Sequence, residues 1–329
     1  MTAFGSEFCA QFVVADFDGE AWTDSAVQPL APIPMHPAAH VLHYASTCFE
    51  GFKAYRWADG SVHVFRLADH VARMQKSAAS LCLPVPPTEL LTSMVLDVIR
   101  ANRDDVPAMP GALYLRPTLV GTLPNIGAAA SPSVTAKLFV LASPVGDYFA
   151  GGVRPLKILI DDQNARSTRQ LGSTKTGGNY AAALGPTLAA KAEYGVDQVL
   201  FCPSDDVQET GAANFLLISE DSVLTKPLDS SFLHGVTRAS TLTLAADLGL
   251  RVEQRNFSVA ELLAALPNTD AALSGTAASL TPIGSMVYQG QTHEVNPDSG
   301  YRNTLKLRQA LSDVHAGERE DIHGWLTTV

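Results

Sequence analysis

The chain has 329 residues, 46% of them hydrophobic and 17% charged, a balance that builds a sizeable packed core and excludes a disordered or fibrous polymer. Its net charge of −10, with no run of Lys and Arg beyond a residue or two, excludes a basic face for nucleic acid or an anionic membrane, so any pull on an anion must come from local cations. Cys9, Cys48, Cys82 and Cys202 form no CxxC pair and read as reduced thiols, no stretch approaches the ~18 apolar residues of a membrane span, and Met1-Thr-Ala-Phe-Gly-Ser-Glu7 lacks the pattern of a signal peptide, so a cytoplasmic protein is expected.

A chain of this length exceeds one ordinary core, and two domains are expected. Residues 1–40 read as loop-rich, with Pro29, Pro32, Pro34 and Pro37. A hairpin follows, Gly51 to Trp57 and Ser61 to Arg66 about a two-residue turn at Asp59-Gly60. Val71, Met74, Ala78 and Leu81 mark one face of a helix, and Leu91 to Ile99 a second. Strands at Ala112–Val120 and Ala136–Ser143 complete a small α+β domain over residues 1–145. Residues 146–155, rich in glycine and turn formers, are the expected interdomain loop.

A larger domain of mixed β-structure flanked by helices is expected over 156–329. It begins with a strand at Leu156–Ile160, a glycine-rich loop leading into a helix that ends near Tyr194, and a strand at Gln198–Cys202. A hairpin is expected from Asn214 to Thr225, then a helix at Thr237–Leu248 and a strand at Arg251–Gln254. Ser258 caps a helix over Val259–Leu266, and Asn303–Ala316 forms the last helix. The fold class is therefore mixed α/β with an α+β N-terminal part.

The glycine-rich loop, Gly172-Ser-Thr-Lys175-Thr-Gly-Gly-Asn-Tyr180, is the most informative stretch. A surface lysine normally sits among other charges. Lys175 has none for several residues, which describes an ammonium held in a site where the amine serves as nucleophile or base. His234-Gly-Val-Thr237 at a helix start and Ser274-Gly-Thr276-Ala277 after a strand are two small-residue turns able to receive an anion on backbone N–H groups. Alone, each is an ordinary cap or turn; together they favour a phosphorylated cofactor. Glu209, among small uncharged residues, is either a solvated loop carboxylate or one that faces a cationic ring nitrogen. Arg73 has Asp69 four residues before it and reads as half of an exposed pair, whereas Arg116, among Leu113, Leu115 and Leu119, needs an acceptor.

A lysine amine, a phosphate cradle and a ring-facing carboxylate describe pyridoxal phosphate (PLP) chemistry. The chain resembles the branched-chain amino-acid aminotransferases of fold-type IV, in their eukaryote-like branch. The likeness runs from about His43 to Trp325 through Phe49-Glu-Gly51, Tyr114-Leu-Arg-Pro117, Pro144-Val-Gly-Asp-Tyr148, Lys175-Thr-Gly-Gly-Asn-Tyr180, Gly235-Val-Thr-Arg238 and Ser274-Gly-Thr-Ala277. The resemblance implies that Lys175 holds PLP and moves the substrate proton, and that Tyr180 bonds the cofactor's phenolic oxygen. It implies Glu209 at the pyridine nitrogen, and Arg73, Val236, Thr237 and Thr276 around the phosphate. Tyr44, Phe49, Tyr114 and Tyr148 would line the substrate pocket, Thr276 and Ala277 would meet the substrate carboxylate, and Arg116 the side-chain carboxylate of glutamate. A homodimer is implied, with amino acids and 2-keto acids as substrates, and no metal.

One departure stands out: relatives place Thr or another small residue and then Met after the glycine that follows the glutamate, where this chain has Ala212-Ala213. Ala212 is therefore expected beside the substrate in a roomier pocket. Related readings are a D-amino-acid or (R)-amine transaminase, an aminodeoxychorismate lyase, or a transaminase for an atypical amino acid. A reading of another class is a hydrolase in which Lys175 activates Ser173.

Overall fold

The computed structural model describes residues 4–146 and 152–329. The chain divides into two compact units, Met1–Tyr148 with Thr174–Gly177 and His315–Val329, and Phe149–Ser173 with Gly178–Val314. The sequence reading placed all of 156–329 in one domain. Instead, the Lys175 segment and the C-terminal tail belong with the first unit, because backbone pairing holds them there.

The first unit contains β1 (Gln11–Phe17), β2 (Ala26–Pro29), α1 (His40–Tyr44), β3 (Thr47–Phe49), β4 (Phe52–Arg56), β5 (Val62–Phe65), α2 (Leu67–Ser80), α3 (Thr88–Ala101), β6 (Ala112–Gly121) and β7 (Ala136–Val145). Its sheet runs β5-β4-β6-β7-β1-β2, with β3 also on β6 and the C-terminal strand Leu326–Thr328 on the outer edge of β5. The two opening strands correct the loop-rich reading of residues 1–40. Phe12-Val13-Val14-Ala15 is a short apolar run that pairs with β7 and is buried, although the prolines after it obscure the signal. The β4–β5 turn is also longer than two residues: Trp57 N–H bonds Ser61 O, Gly60 N–H bonds Trp57 O, and Gly60 takes φ +83°, where only glycine is unstrained.

α2 and α3 cover one face of this sheet. Val71, Met74 and Ala78 from α2, and Leu91, Met94, Val95 and Val98 from α3, pack against Leu113, Leu115 and Leu119 of β6. The pleat of β6 then sends Tyr114 and Arg116 to the opposite face. All four cysteines are free, and burial pushes the Cys9 and Cys48 thiols up to about 12, which removes the thiolate that disulfide exchange requires.

His315 lies in this core, stacked on Tyr55 at 4.4 Å and edge-on to Phe65 at 4.5 Å, with Nε2 buried and unpartnered. Burial, helped by the charge of Lys53, pushes its pKa down to about 3. Its folded pKa is thus below the unfolded value of about 6.5. The unfolded chain takes the proton first, so stability present above about pH 6.5 is lost as pH falls toward 3, at up to ~1.4 kcal/mol per pH unit. Buried His70 is lowered as well, mainly by desolvation, and adds to the same trend. Urea midpoints measured between pH 7 and 4.5 should fall steeply for the wild type and less steeply for His315→Phe. Equal slopes would show that His315 is already protonated in the fold.

The second unit contains β8 (Leu156–Asp161), α4 (Gly177–Tyr194, apart from its first residue), β9 (Gln198–Phe201), β10 (Glu209–Thr210), β11 (Asn214–Ile218), β12 (Ser222–Thr225), α5 (Val236–Asp247), β13 (Arg251–Gln254), α6 (Val259–Ala265), β14 (Asp270–Gly275), β15 (Ser279–Tyr288), β16 (Gln291–Glu294) and α7 (Arg302–Ala316, apart from its last two residues). The strands pair in the order β10-β9-β8-β15-β14-β11-β12-β13, and β10 also pairs with β11, so six of them close a ring. Closure removes free edges. It also forces alternation along β11: Phe215 and Leu217 enter one apolar cluster, Leu216 and Ile218 another with Leu242, Ala245 and Leu307 of the flanking helices. The ring closes at β10, where Glu209 faces both Phe201 and Asn214. Among the described residues no helix is long and apolar enough to cross a membrane.

Candidate active site

In the first unit the Lys175 backbone is pinned on three sides. Phe49 N–H donates to Lys175 O at 3.1 Å, Lys175 N–H donates to Ser77 Oγ at 3.0 Å, and the Thr176 hydroxyl donates to Thr47 O at 2.7 Å. A lysine on a glycine-rich loop is thereby fixed rather than free to wander. Its Nζ stands over the Phe49 ring, 5.0 Å from the centroid. The same ring carries the Arg116 guanidinium at 4.7 Å, and Arg116 Nη2 donates to Tyr114 Oη at 2.7 Å. Arg116 Nε is buried without a hydrogen-bond partner. Gly51 explains its place in Phe-Glu-Gly: a Cβ there would lie 2.0 Å from Tyr114 Oη.

Arg73 does not pair with Asp69, which takes Arg66 instead. Arg73 Nε and Nη2 grip Glu50 at 2.6 and 2.8 Å, and His70 Nδ1 meets Glu50 Oε2 at 2.7 Å. Burial alone would raise the Glu50 carboxyl, but the charges of Arg73 and His70 override it and hold it far below the usual carboxylate range. Helical spacing brings His70 and Arg73, three residues apart, onto one face toward Glu50. Tyr44 donates its hydroxyl to Ile126 O. Tyr148 lies outside the described residues.

The second unit gathers the other candidates. Glu209 is 2% exposed; its Oε1 accepts Arg166 Nη1 at 2.6 Å and Leu233 N–H at 2.8 Å, and its Oε2 accepts Asn214 Nδ2 at 2.9 Å. The solvated-loop alternative therefore fails for Glu209. Asn214 Nδ2 also donates to Leu233 O, and a Cβ on Gly235 would lie 2.0 Å from Asn214 Oδ1. These contacts hold the start of α5 against the carboxylate. That helix is capped by Gly235, with no side-chain hydrogen bond, so its first N–H groups, including those of Val236 and Thr237, need an outside acceptor. Thr237 sits inside the first turn, the helix starting at Val236, one residue before the expected start.

Ser274 pairs with Asn214 across β11–β14, and Thr276 and Ala277 form the turn between β14 and β15. The buried Ser274 Oγ has no partner. Ala212 is exposed in the tight β10–β11 turn, where Thr210 N–H bonds Ala213 O, and its carbonyl would be 3.6 Å from a Cβ on Gly275. Tyr180 is half-buried in the first turn of α4, and Gly211, just past Glu209, abuts Ala183 of the same helix.

A buried carboxylate, an anion-seeking helix start and a small-residue turn thus share one unit. Residues 47–286 match the model of the amino-transferase class IV family. The chain belongs to that family. Across this class IV chain, a branched-chain-amino-acid aminotransferase of Mycobacterium tuberculosis is 36% identical, covering 98% of it and 91% of the relative. Branched-chain-amino-acid aminotransferase 2 of Bacillus subtilis is 32% identical, covering 99% and 92%. Among solved structures, a branched-chain amino acid aminotransferase with pyridoxamine 5'-phosphate superposes with a TM-score of 0.82 at 25% identity, covering 98% of this chain and 99% of that one. The branched-chain aminotransferase of the archaeon Thermoproteus uzoniensis, solved with norvaline, superposes with a TM-score of 0.79 at 25% identity, covering 97% and 99%.

The sequence reading missed three residues that the structure of this family member brings forward. Arg166, between Asp162 and Arg169, carries no local mark that sets it apart from an ordinary surface charge. Glu50 and His70 carried no local mark either, since Asp69 already stood as a partner for Arg73 and Glu50 lies 23 residues before it.

Proposed function

We propose that this chain is a PLP-dependent transaminase exchanging the amino group between branched-chain aliphatic L-amino acids and 2-oxoglutarate. The observation that carries the proposal is Glu209, a fully buried carboxylate beside an uncapped helix start, in a chain similar over nearly its whole length to branched-chain transaminases. The residues present fit the cofactor: an acceptor suited to a ring N–H⁺, N–H donors suited to a phosphate, and a fixed lysine amine.

When bound, PLP supplies an electron sink for the charge left as the substrate Cα proton departs. Lys175 would hold the cofactor covalently and, as a free amine, would act as the base that takes the proton from the substrate Cα. Tyr180 would hydrogen-bond the phenolic oxygen, and Glu209 would keep the ring nitrogen protonated. Val236, Thr237, Thr276 and Arg73 would hold the phosphate. Phe49, Tyr114, Tyr44 and Tyr148 would form apolar walls for leucine, isoleucine and valine, with Thr276 and Ala277 N–H groups on the α-carboxylate. Arg116 would serve the second carboxylate of glutamate, a role its unpartnered buried Nε supports. A cytoplasmic homodimer completes the reading, and the exposed Leu42 and Ile126 are apolar surface that a partner would cover.

A panel of amino donors against 2-oxoglutarate tests it. Leucine, isoleucine and valine should be turned over, and rejection of all three overturns the substrate class. Ala212 supplies no hydroxyl to the carboxylate, which leaves out a neutral hydrogen bond of about 0.5–1.5 kcal/mol. Ala212→Thr should therefore lower the KM for leucine by ~2- to 10-fold. Unchanged KM values for leucine and glutamate would place Ala212 away from substrate.

A further inference from the structure

We infer that Arg166 is the positioning residue for Glu209: it keeps the carboxylate charged inside the fold and ties it to the backbone on either side of the cofactor machinery. The inference deepens the PLP reading and rests on it.

Arg166 and Glu209 are each 2% exposed, and Nη1 lies 2.6 Å from Oε1. A lone buried carboxylate takes up a proton to escape the cost of burial. The neutral donors Leu233 N–H and Asn214 Nδ2 offset part of that cost, but Arg166 brings a full opposing charge to the shared oxygen. Charge is what a carboxylate needs to stabilise a protonated ring nitrogen. A neutral acid would offer that nitrogen a proton donor and remove the ion pair.

The rest of the guanidinium points at main chain. Nε donates toward Gly211 O at 3.4 Å and Nη1 toward Gly172 O at 3.5 Å, both long contacts. Gly211 begins the turn that carries Ala212. Gly172 stands three residues before Lys175 in the chain and is packed so closely that a Cβ would lie 2.2 Å from the Ser231 carbonyl carbon. One side chain therefore joins the carboxylate, the turn after it and the loop leading to the lysine. Lysine, a point charge without the planar fork, cannot serve all three.

The test separates charge from mere bracing. Arg166→Gln keeps amide donors for Gly211 and Gly172 but removes the charge; Arg166→Lys keeps the charge. Infrared spectra of the cofactor-free proteins at neutral pH should show a protonated-carboxyl band in Arg166→Gln that disappears in Arg166→Gln/Glu209→Gln and is absent from Arg166→Lys. With PLP bound, kcat for leucine in Arg166→Gln should fall by ~10²-fold or more, with KM changed far less, and Arg166→Lys should recover most of it. A carboxylate that stays ionised in Arg166→Gln overturns the inference while leaving the PLP reading intact. Absence of a pyridoxyl group on Lys175 after borohydride reduction of the wild type would remove the PLP reading instead. Should Arg166→Gln not fold, Arg166→Met, read by the same band, replaces it.

Discussion

Lys175→Ala is expected to lose transamination almost completely, by at least the ~10²- to 10⁴-fold that a missing general base costs, because the covalent anchor for PLP goes with it. Borohydride reduction of the native protein followed by peptide mapping should place the pyridoxyl group on Lys175. The choice among lysines is physical. Lys226 is buried but committed to Asp206, Asp229 and Asn256. Lys191 lies exposed near the end of α4, and Lys53 sits near enough to His315 to lower its pKa. Lys175, although on a loop, has its backbone fastened by both β3 and α2, so that its amine returns to one place after each turnover. Label on Lys53 or Lys191 would overturn the assignment. Added alkylamine that restores part of the Lys175→Ala rate would identify the lost function as proton transfer.

Much of this arrangement was legible in the chain, for identifiable reasons. Helical periodicity exposed α2 and α3 because their apolar residues face a single sheet. The uncharged surroundings of Lys175 and Glu209 marked both residues because charges are rarely placed among glycines and alanines without a partner. What escaped was long-range. β1 pairs with β7, more than 100 residues away in the chain, and the three-residue C-terminal strand is a strand only because β5 supplies its hydrogen bonds. The Glu50–His70–Arg73 cluster joins positions 20 and 23 residues apart, and Arg166 meets Glu209 across 43 residues of chain, distances at which no local pattern signals contact. Arg73 shows the cost of local reasoning: spacing favoured Asp69, but a buried carboxylate must be neutralised and outcompetes an exposed one.

Glu209→Gln is the second large effect, and it should divide into two separable parts. The chemical part is loss of the charge opposite the ring nitrogen. PLP should still bind through Lys175 and the phosphate donors, but stopped-flow half-reactions with leucine should slow by ~10²- to 10³-fold, the scale seen when one preorganised electrostatic group is removed. The structural part comes from Arg166. With the carboxylate gone, a guanidinium that is 2% exposed loses its counter-charge and keeps only neutral acceptors, and breaking such a buried pair costs about 3–5 kcal/mol. The new amide also presents either an N–H₂ to the donor Asn214 Nδ2 or one to the Leu233 N–H, so one of those bonds is lost as well. Combining the change with Arg166→Met removes the stranded charge. The double variant should regain stability in urea relative to Glu209→Gln while its half-reaction stays slow. Recovery of stability and rate together would mean the single variant was slow only because it was distorted. A near-wild-type rate in Glu209→Gln itself would show that the carboxylate braces the fold and takes no part in the chemistry.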